Sequence, residues 1–153
     1  MASASRRPRR VALIGHSYIT RLRGFMNDNR RLNLNFPPLD IQVETFGRGG
    51  AGLRLLPDAR WANSFLQDAL LFRPDVVYIH LGKNDLDHLS AGSLVDHTVN
   101  YVNSIITLAH PQVIILSQLF PMPSHSRHNI TSINDALSAA WNKENVIFRC
   151  FCC

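Results

Sequence analysis

Cysteine is almost absent from this 153-residue chain: residues 1–149 contain none, and Cys150, Cys152 and Cys153 crowd into the last four positions. A disulfide framework is therefore excluded, and a lone C-x-C-C lacks the second half of a zinc site. The tail 150–153 reads as an accidental or aberrant chain end rather than a metal or lipid site. Long apolar runs are missing too. None approaches the roughly 20 residues that span a bilayer, so neither a transmembrane helix nor a membrane partner is expected. Met1 to Arg10 is small, polar and basic, and the apolar run Val11 to Gly15 is too short for the core of a signal peptide. With so little cysteine, this favours a reducing, intracellular setting. Charged residues make up only 18%, too few for a coiled coil, whereas the 46% apolar share is too high for a disordered chain. The length suits one domain with a real core.

The charge present is unevenly placed. Residues 1–31 hold eight arginines and one aspartate, a formal +7, while residues 32–153 hold eight basic and ten acidic groups, a formal −2. Arg6, Arg7, Arg9 and Arg10 form a cluster that could hold a polyanion by releasing counterions from a phosphate backbone. The blander expectation is a solvated, disordered basic arm over residues 1–10.

The rest of the chain repeats one pattern. Short β-branched runs occur at 11–14, 41–46, 76–81, 113–116 and 146–148, and continuous apolar runs of that length read as strands buried on both faces. Between them lie helical stripes: Ile19, Leu22 and Met26; Trp61, Phe65 and Ala69; Val95, Val99, Val102, Ile106 and Ala109; Ile130, Ile133, Leu137 and Trp141. Asp58 and Asn129 are candidate caps. Strands alternating with helices predict parallel pairing and right-handed crossovers, hence an α/β fold with a three-layer α/β/α sandwich over residues 11–149. No helical stripe follows the fifth strand, although a doubly wound sheet is ordinarily covered on both faces. In such sheets ligands bind beyond the carboxyl ends of the strands.

Three loops at that edge carry candidate chemistry. Ser17 follows the first strand and opens a helix, where partial positive charge would favour an oxyanion; an N-cap role is the commoner use of such a serine. Gly47-Arg-Gly-Gly-Ala-Gly-Leu53 lets backbone approach a ligand and offers N–H donors, or is simply a tight strand-to-helix turn. Gly82-Lys-Asn-Asp85 brings an Asn amide, either an oxyanion donor or part of an Asx turn. Residues 47–52 also match G-x-G-x-x-G by letter. They follow the second strand rather than the first, however, and no acidic residue ends the next strand, so a dinucleotide site is not favoured.

Taken together, Gly15-His-Ser17, the glycine turn, and Val76-Val-Tyr-Ile-His-Leu-Gly-Lys-Asn-Asp-Leu86 resemble the SGNH (GDSL-like) hydrolases, including esterase-like domains encoded by animal mobile elements. The resemblance implies a flavodoxin-like parallel five-stranded sheet in the order 2-1-3-4-5. It implies Ser17 as nucleophile, with the Ser17 N–H, the Gly50 (or Gly49) N–H and the Asn84 side chain as oxyanion hole. Gly15, His16, Gly82 and Asp85 would order the loops. It implies no cofactor and no metal, and an ester-containing small molecule or acylated substrate as partner.

Two departures qualify this. His16 stands where the family has Asp; a side chain beside the nucleophile at such a turn is expected to point elsewhere, so His16 is not read as a base. The family's Asp-x-x-His after the fifth strand has no counterpart, which suggests C-terminal truncation and impaired activity, because a serine without a base is a poor nucleophile. Asp85-Leu-Asp-His88 matches by letter but sits in the third loop; His125 and His128, after the fourth strand, are the candidate substitute bases. His80 within a strand reads as a packed or hydrogen-bonded histidine. The alternative is a non-catalytic binding module tethered to nucleic acid through Arg6, Arg7, Arg9 and Arg10.

Overall fold

The computed structural model describes residues 7–53, 66–120, 129–141 and 146–149. Trp61, Phe65, Asp58, Arg6, His125, His128 and the cysteine tail lie outside the described residues. Five strands, β1 (Arg9–Gly15), β2 (Ile41–Gly47), β3 (Val76–His80), β4 (Val113–Ser117) and β5 (Val146–Arg149), form one parallel sheet in the order β2-β1-β3-β4-β5. The helices are α1 (Ser17–Asp28), α2 (Leu66–Leu71), α3 (Ala91–Ala109) and α4 (Ile130–Ala140), with a single 3-10 turn at Lys83–Asp85. This is the expected α/β architecture and strand order. No described helix is long and apolar enough to cross a membrane.

Strand alternation sorts side chains onto two unlike faces. Ile14, Val77, Ile79, Ile114, Leu116 and Val146 share the main core with the buried residues of α2, α3 and α4. On the other face Leu13, Tyr78, Ile115 and Ile147 lie side by side across four strands. Of the described helices only α1 packs there, on β1 and β2, where Leu13, Ile19 and Val43 form a small second core. Val76, Tyr78, Val113, Ile115 and Ile147 on the same face remain partly exposed. The described residues thus cover one face fully and the other only over its first half.

The helical stripes are largely as expected, with one rotation. Ile130, Ile133, Leu137 and Trp141 are buried, and the Asn129 side chain caps α4 by accepting the Ser132 N–H. In α3 the buried line runs through Leu94, Thr98, Tyr101, Val102 and Ile105, while the expected Val95, Val99 and Ile106 are half-buried at its flank. The apolar stripe misled because Thr98 satisfies its hydroxyl on the Leu94 carbonyl at 2.8 Å, so a nominally polar residue can occupy the buried line. Ser90 caps this helix by accepting the Ser93 N–H.

The N-terminal boundary also differs. β1 starts at Arg9, two residues before the apolar run, so residues 9 and 10 are strand rather than arm. Arg9 pairs in register with Ile41 and Arg10 with Gln42. Asp75, nearly buried at the start of β3, is the reason: it accepts from the Arg10 N–H at 2.9 Å and takes a bidentate pair from Arg7 at 2.7 and 2.9 Å. Arg10 in turn donates to the Phe72 carbonyl and lies over the Phe72 ring. Burial raises the Asp75 carboxyl, but the Arg10 N–H and the Arg7 and Arg10 charges outweigh it and hold the group below the usual carboxylate range. A depressed carboxylate stabilises the fold above its unfolded pKa and loses that contribution as pH falls through the folded value. Arg7 is 60% exposed, so solvent screens its share and the Arg10 N–H bond carries most of the effect. Asp75→Asn is therefore expected to cost about 1–2 kcal/mol at pH 7 in urea unfolding, and the gap to wild type should shrink below about pH 4.

Candidate active site at the carboxyl edge of the sheet

The three loops singled out in the sequence do meet at one edge. The first depends on close packing. Gly15 and Gly47 are paired across β1 and β2, and both lie under Ile19 of α1. A Cβ on Gly15 would overlap the Ile19 side chain and come 2.9 Å from the His80 carbonyl; one on Gly47 would come 3.0 Å from Ile19. The two glycines therefore let the first turn of α1 sit directly on the strand ends. His16, not Ser17, is the N-cap: its carbonyl accepts from the Ile19 and Thr20 N–H groups. Ser17 is thus the first helical residue, and its N–H is among the donors left without an intrahelical partner.

The second loop closes through the bond from the Ala51 N–H to the Arg48 carbonyl, 3.2 Å. Gly50 has φ +78°, so the turn needs glycine there, as a type II turn does. The N–H groups of the central residues Gly49 and Gly50 take no part in that closing bond. The Arg48 N–H donates back to the Gly15 carbonyl, tying the second loop to the first.

The third loop clamps the second. Gly82 has φ +105°, and the Asp85 N–H donates to its carbonyl to close the 3-10 turn. The Asp85 side chain, 1% exposed, accepts from the Leu53 N–H at 2.9 Å. Gly52 is needed at this crossing, because a Cβ would stand 2.5 Å from Asp85 Oδ1. Asn84 Nδ2 donates to the Ala51 carbonyl at 2.9 Å. The Asp85 N–H thus closes its own loop, and its carboxylate holds the glycine loop. The Asp85-Leu-Asp-His88 letter match lies within this loop, with Asp85 buried and His88 exposed.

His16 departs from the expectation that it would point away from Ser17. It is buried at 1% exposure, and its Nδ1 lies 3.3 Å from Ser17 Oγ. Its ring packs against those of Tyr18 at 5.0 Å and His80 at 4.9 Å, which also touch each other at 5.3 Å, so the three rings form one cluster. This packing has no room for a ring turned to solvent, which is what the local turn alone would suggest. Burial above all, then the charges of His80, Lys83 and Arg21, lower the His16 pKa to about 4. His80 is lowered as well, by burial and then by Lys83. Its Nδ1 is 2.6 Å from the buried Ser117 Oγ, so it is the packed, hydrogen-bonded histidine that its place in the strand suggests.

Beside these rings, an open cleft of about 550 Å³ is lined by Leu13, Tyr18, Ile19, Leu22, Tyr78, His80 and Phe120. The sequence reading missed Tyr18, Tyr78 and Phe120. The signal available was strand alternation, which puts Tyr78 and His80 on the face opposite Val77 and Ile79. It also missed Asn134, which holds the chain after β4 by bonding both the N–H and the carbonyl of Leu119 at 3.0 Å. Among the described residues, no three His, Cys, Asp or Glu side chains come together as a metal site. Of the basic cluster, Arg7 and Arg10 are committed to Asp75 and Phe72 as described above.

No family model and no curated protein sequence matches the chain. Solved structures do. A GDSL-like lipase from Bacteroides thetaiotaomicron VPI-5482 superposes with a TM-score of 0.68 at 15% identity, over 93% of this chain and 68% of that one. A family two carbohydrate esterase from Cellvibrio japonicus gives 0.63 at 16%, over 95% and 52%. The psychrotrophic esterase EstA from Pseudoalteromonas sp., solved with monoethylphosphonate, gives 0.60 at 16%, over 93% and 76%. At such identities the likeness establishes the fold: an SGNH-hydrolase-like α/β/α sandwich. The chain spans between about half and three quarters of the length of these three structures.

The clamp makes a direct prediction. Asp85→Ala removes the acceptor of the Leu53 N–H and should cost about 1–3 kcal/mol. Amide exchange at Leu53 should accelerate with it. Unchanged exchange at Leu53 would mean that the glycine loop is held by something else.

Proposed function

We propose, taking the SGNH-hydrolase-like fold as premise, that the chain is a serine ester hydrolase acting on acyl esters. Ser17 Oγ is the nucleophile. The Ser17 N–H, the Gly50 N–H and the Asn84 side-chain amide are the oxyanion donors. The observation that carries this reading is the convergence of three separately built loops: Ser17 at the first position of α1, the left-handed Gly50 turn, and Asn84 bonded to that turn through Ala51. A nucleophile, a backbone turn and an amide donor have no structural need to meet at one strand edge, whereas acyl transfer needs all three.

The chemistry follows from the positions. Ser17 Oγ attacks the ester carbonyl, and the carbonyl oxygen becomes an oxyanion as the tetrahedral intermediate forms. The positive end of α1 favours that charge, and the Ser17 N–H lies in the same turn. Asn84 has two amide hydrogens; one is used on the Ala51 carbonyl and the second is free in valence to donate to the oxyanion. Collapse expels the alcohol, and water releases the acid. The apolar cleft flanked by Tyr18 and His80 supports an ester with an apolar portion. His125 and His128 remain candidate bases in this scheme.

An alkyl fluorophosphonate should label the folded protein at Ser17, and Ser17→Ala should abolish labelling. Asn84→Ala should slow it by about 100- to 1,000-fold, the usual effect of losing one oxyanion donor. Folded wild-type protein that takes up no label would contradict the proposal.

A further inference from the structure

The proposed reaction needs a base, and among the described residues the structure assigns one: we propose that His16, the residue immediately before Ser17, takes the serine proton through Nδ1, in place of His125 and His128. This rests on the ester-hydrolase reading above. Three observations carry it. The Nδ1–Oγ separation is 3.3 Å, just beyond the roughly 2.6–3.2 Å of a formed catalytic hydrogen bond, a length common before substrate tightens such a contact. The ring is buried, at 1% exposure, and packs into a three-ring cluster with Tyr18 and His80, which limits its rotation. And Nδ1 is available: the ring sits at the N-cap, yet its side chain makes no capping bond, and the first turn of α1 uses the His16 carbonyl instead.

The step balances. The Oγ–H bond breaks as Oγ bonds the carbonyl carbon, and the proton moves to Nδ1. Collapse of the intermediate breaks the carbon–alkoxide bond, and the alkoxide takes that proton. In the second half a water is deprotonated by the same nitrogen, and the proton returns to Ser17 Oγ as the acid leaves.

The environment sets the character of the base. The groups acting on His16 are the rings of His80 at the end of β3 and Tyr18 on α1, with Lys83 after β3 and Arg21 on α1. Among the described residues no carboxylate acts on it; burial first, and then the cations, keep the imidazole neutral down to about pH 4. It is ready to accept at every pH above that, but it is a weaker base than an ordinary histidine. The proposal therefore describes a slow enzyme with an unusually acid-tolerant rate.

The test is the pH dependence of fluorophosphonate labelling of the full chain, in wild type, His16→Asn and His16→Ala, with thermal unfolding of each. Asn keeps a polar group near the position of Nδ1 without a titratable nitrogen. Wild type should label at a near-constant rate from neutral pH down to about 5 and lose rate through pH 4. His16→Asn, folded by its unfolding curve, should label at least about 100-fold more slowly at pH 7. Labelling of either folded variant at the wild-type rate, or a wild-type limb centred near 6.5, overturns the role of His16 and leaves the esterase reading standing. Absence of any wild-type label overturns both.

Discussion

The Asp85 carboxylate bonded to the Leu53 N–H is the interaction on which the rest of the edge depends. It is buried, it spans two loops far apart in sequence, and with Ala51 and Leu53 packed into the main core it fixes a seven-residue glycine-rich segment. A glycine loop loses more conformational freedom on ordering than any other, so an external anchor is required. Asp85 supplies it from one side, and the Arg48 N–H on the Gly15 carbonyl supplies it from the other. Asn84 is then placed by its neighbour: once Asp85 is inserted, the amide beside it meets the Ala51 carbonyl. A donor, a turn and a helix start are thereby made into one rigid constellation.

A second constraint comes from the sheet. Gly15 and Gly47 lie in register under Ile19, and this lets the first turn of α1 touch the strand ends. Any side chain at either glycine would lift the helix and carry Ser17 and His16 with it. The same face is uneven: α1 covers β1 and β2, while Tyr78, Ile115 and Ile147 are left partly exposed, and the cleft opens between Tyr78 and α1. The carboxyl edge of the sheet and this open face meet at His80, whose ring touches that of His16 and also lines the cleft.

Much of this was legible in the sequence, and the misses have physical causes. Parallel strands leave continuous β-branched runs, so β1 to β5 could be placed from the pattern, although among the described residues Val76, Tyr78, Val113, Ile115 and Ile147 stay partly exposed on one face. Loop chemistry was legible wherever one residue type has one use, as with the positive-φ glycines Gly50 and Gly82. What failed was what depends on distant partners. Arg9 and Arg10 read as a solvated arm because Asp75, 65 residues beyond Arg10, is invisible to local pattern. The stripe of α3 was drawn through Val95 and Val99 without Thr98, whose bond to the Leu94 carbonyl is made only once the helix forms. His16 read as pointing away because the Tyr18 and His80 rings that hold it come together only in the folded sheet.

The central claim is that Ser17, Gly50 and Asn84 surround one oxyanion position. A crystal structure of the protein after reaction with an alkyl fluorophosphonate tests it directly. The account predicts phosphorus bonded to Ser17 Oγ. It also predicts one phosphoryl oxygen within about 2.7–3.1 Å of the Ser17 N–H, the Gly50 N–H and Asn84 Nδ2. An adduct on another residue, or a phosphoryl oxygen turned to solvent away from those three donors, would contradict it.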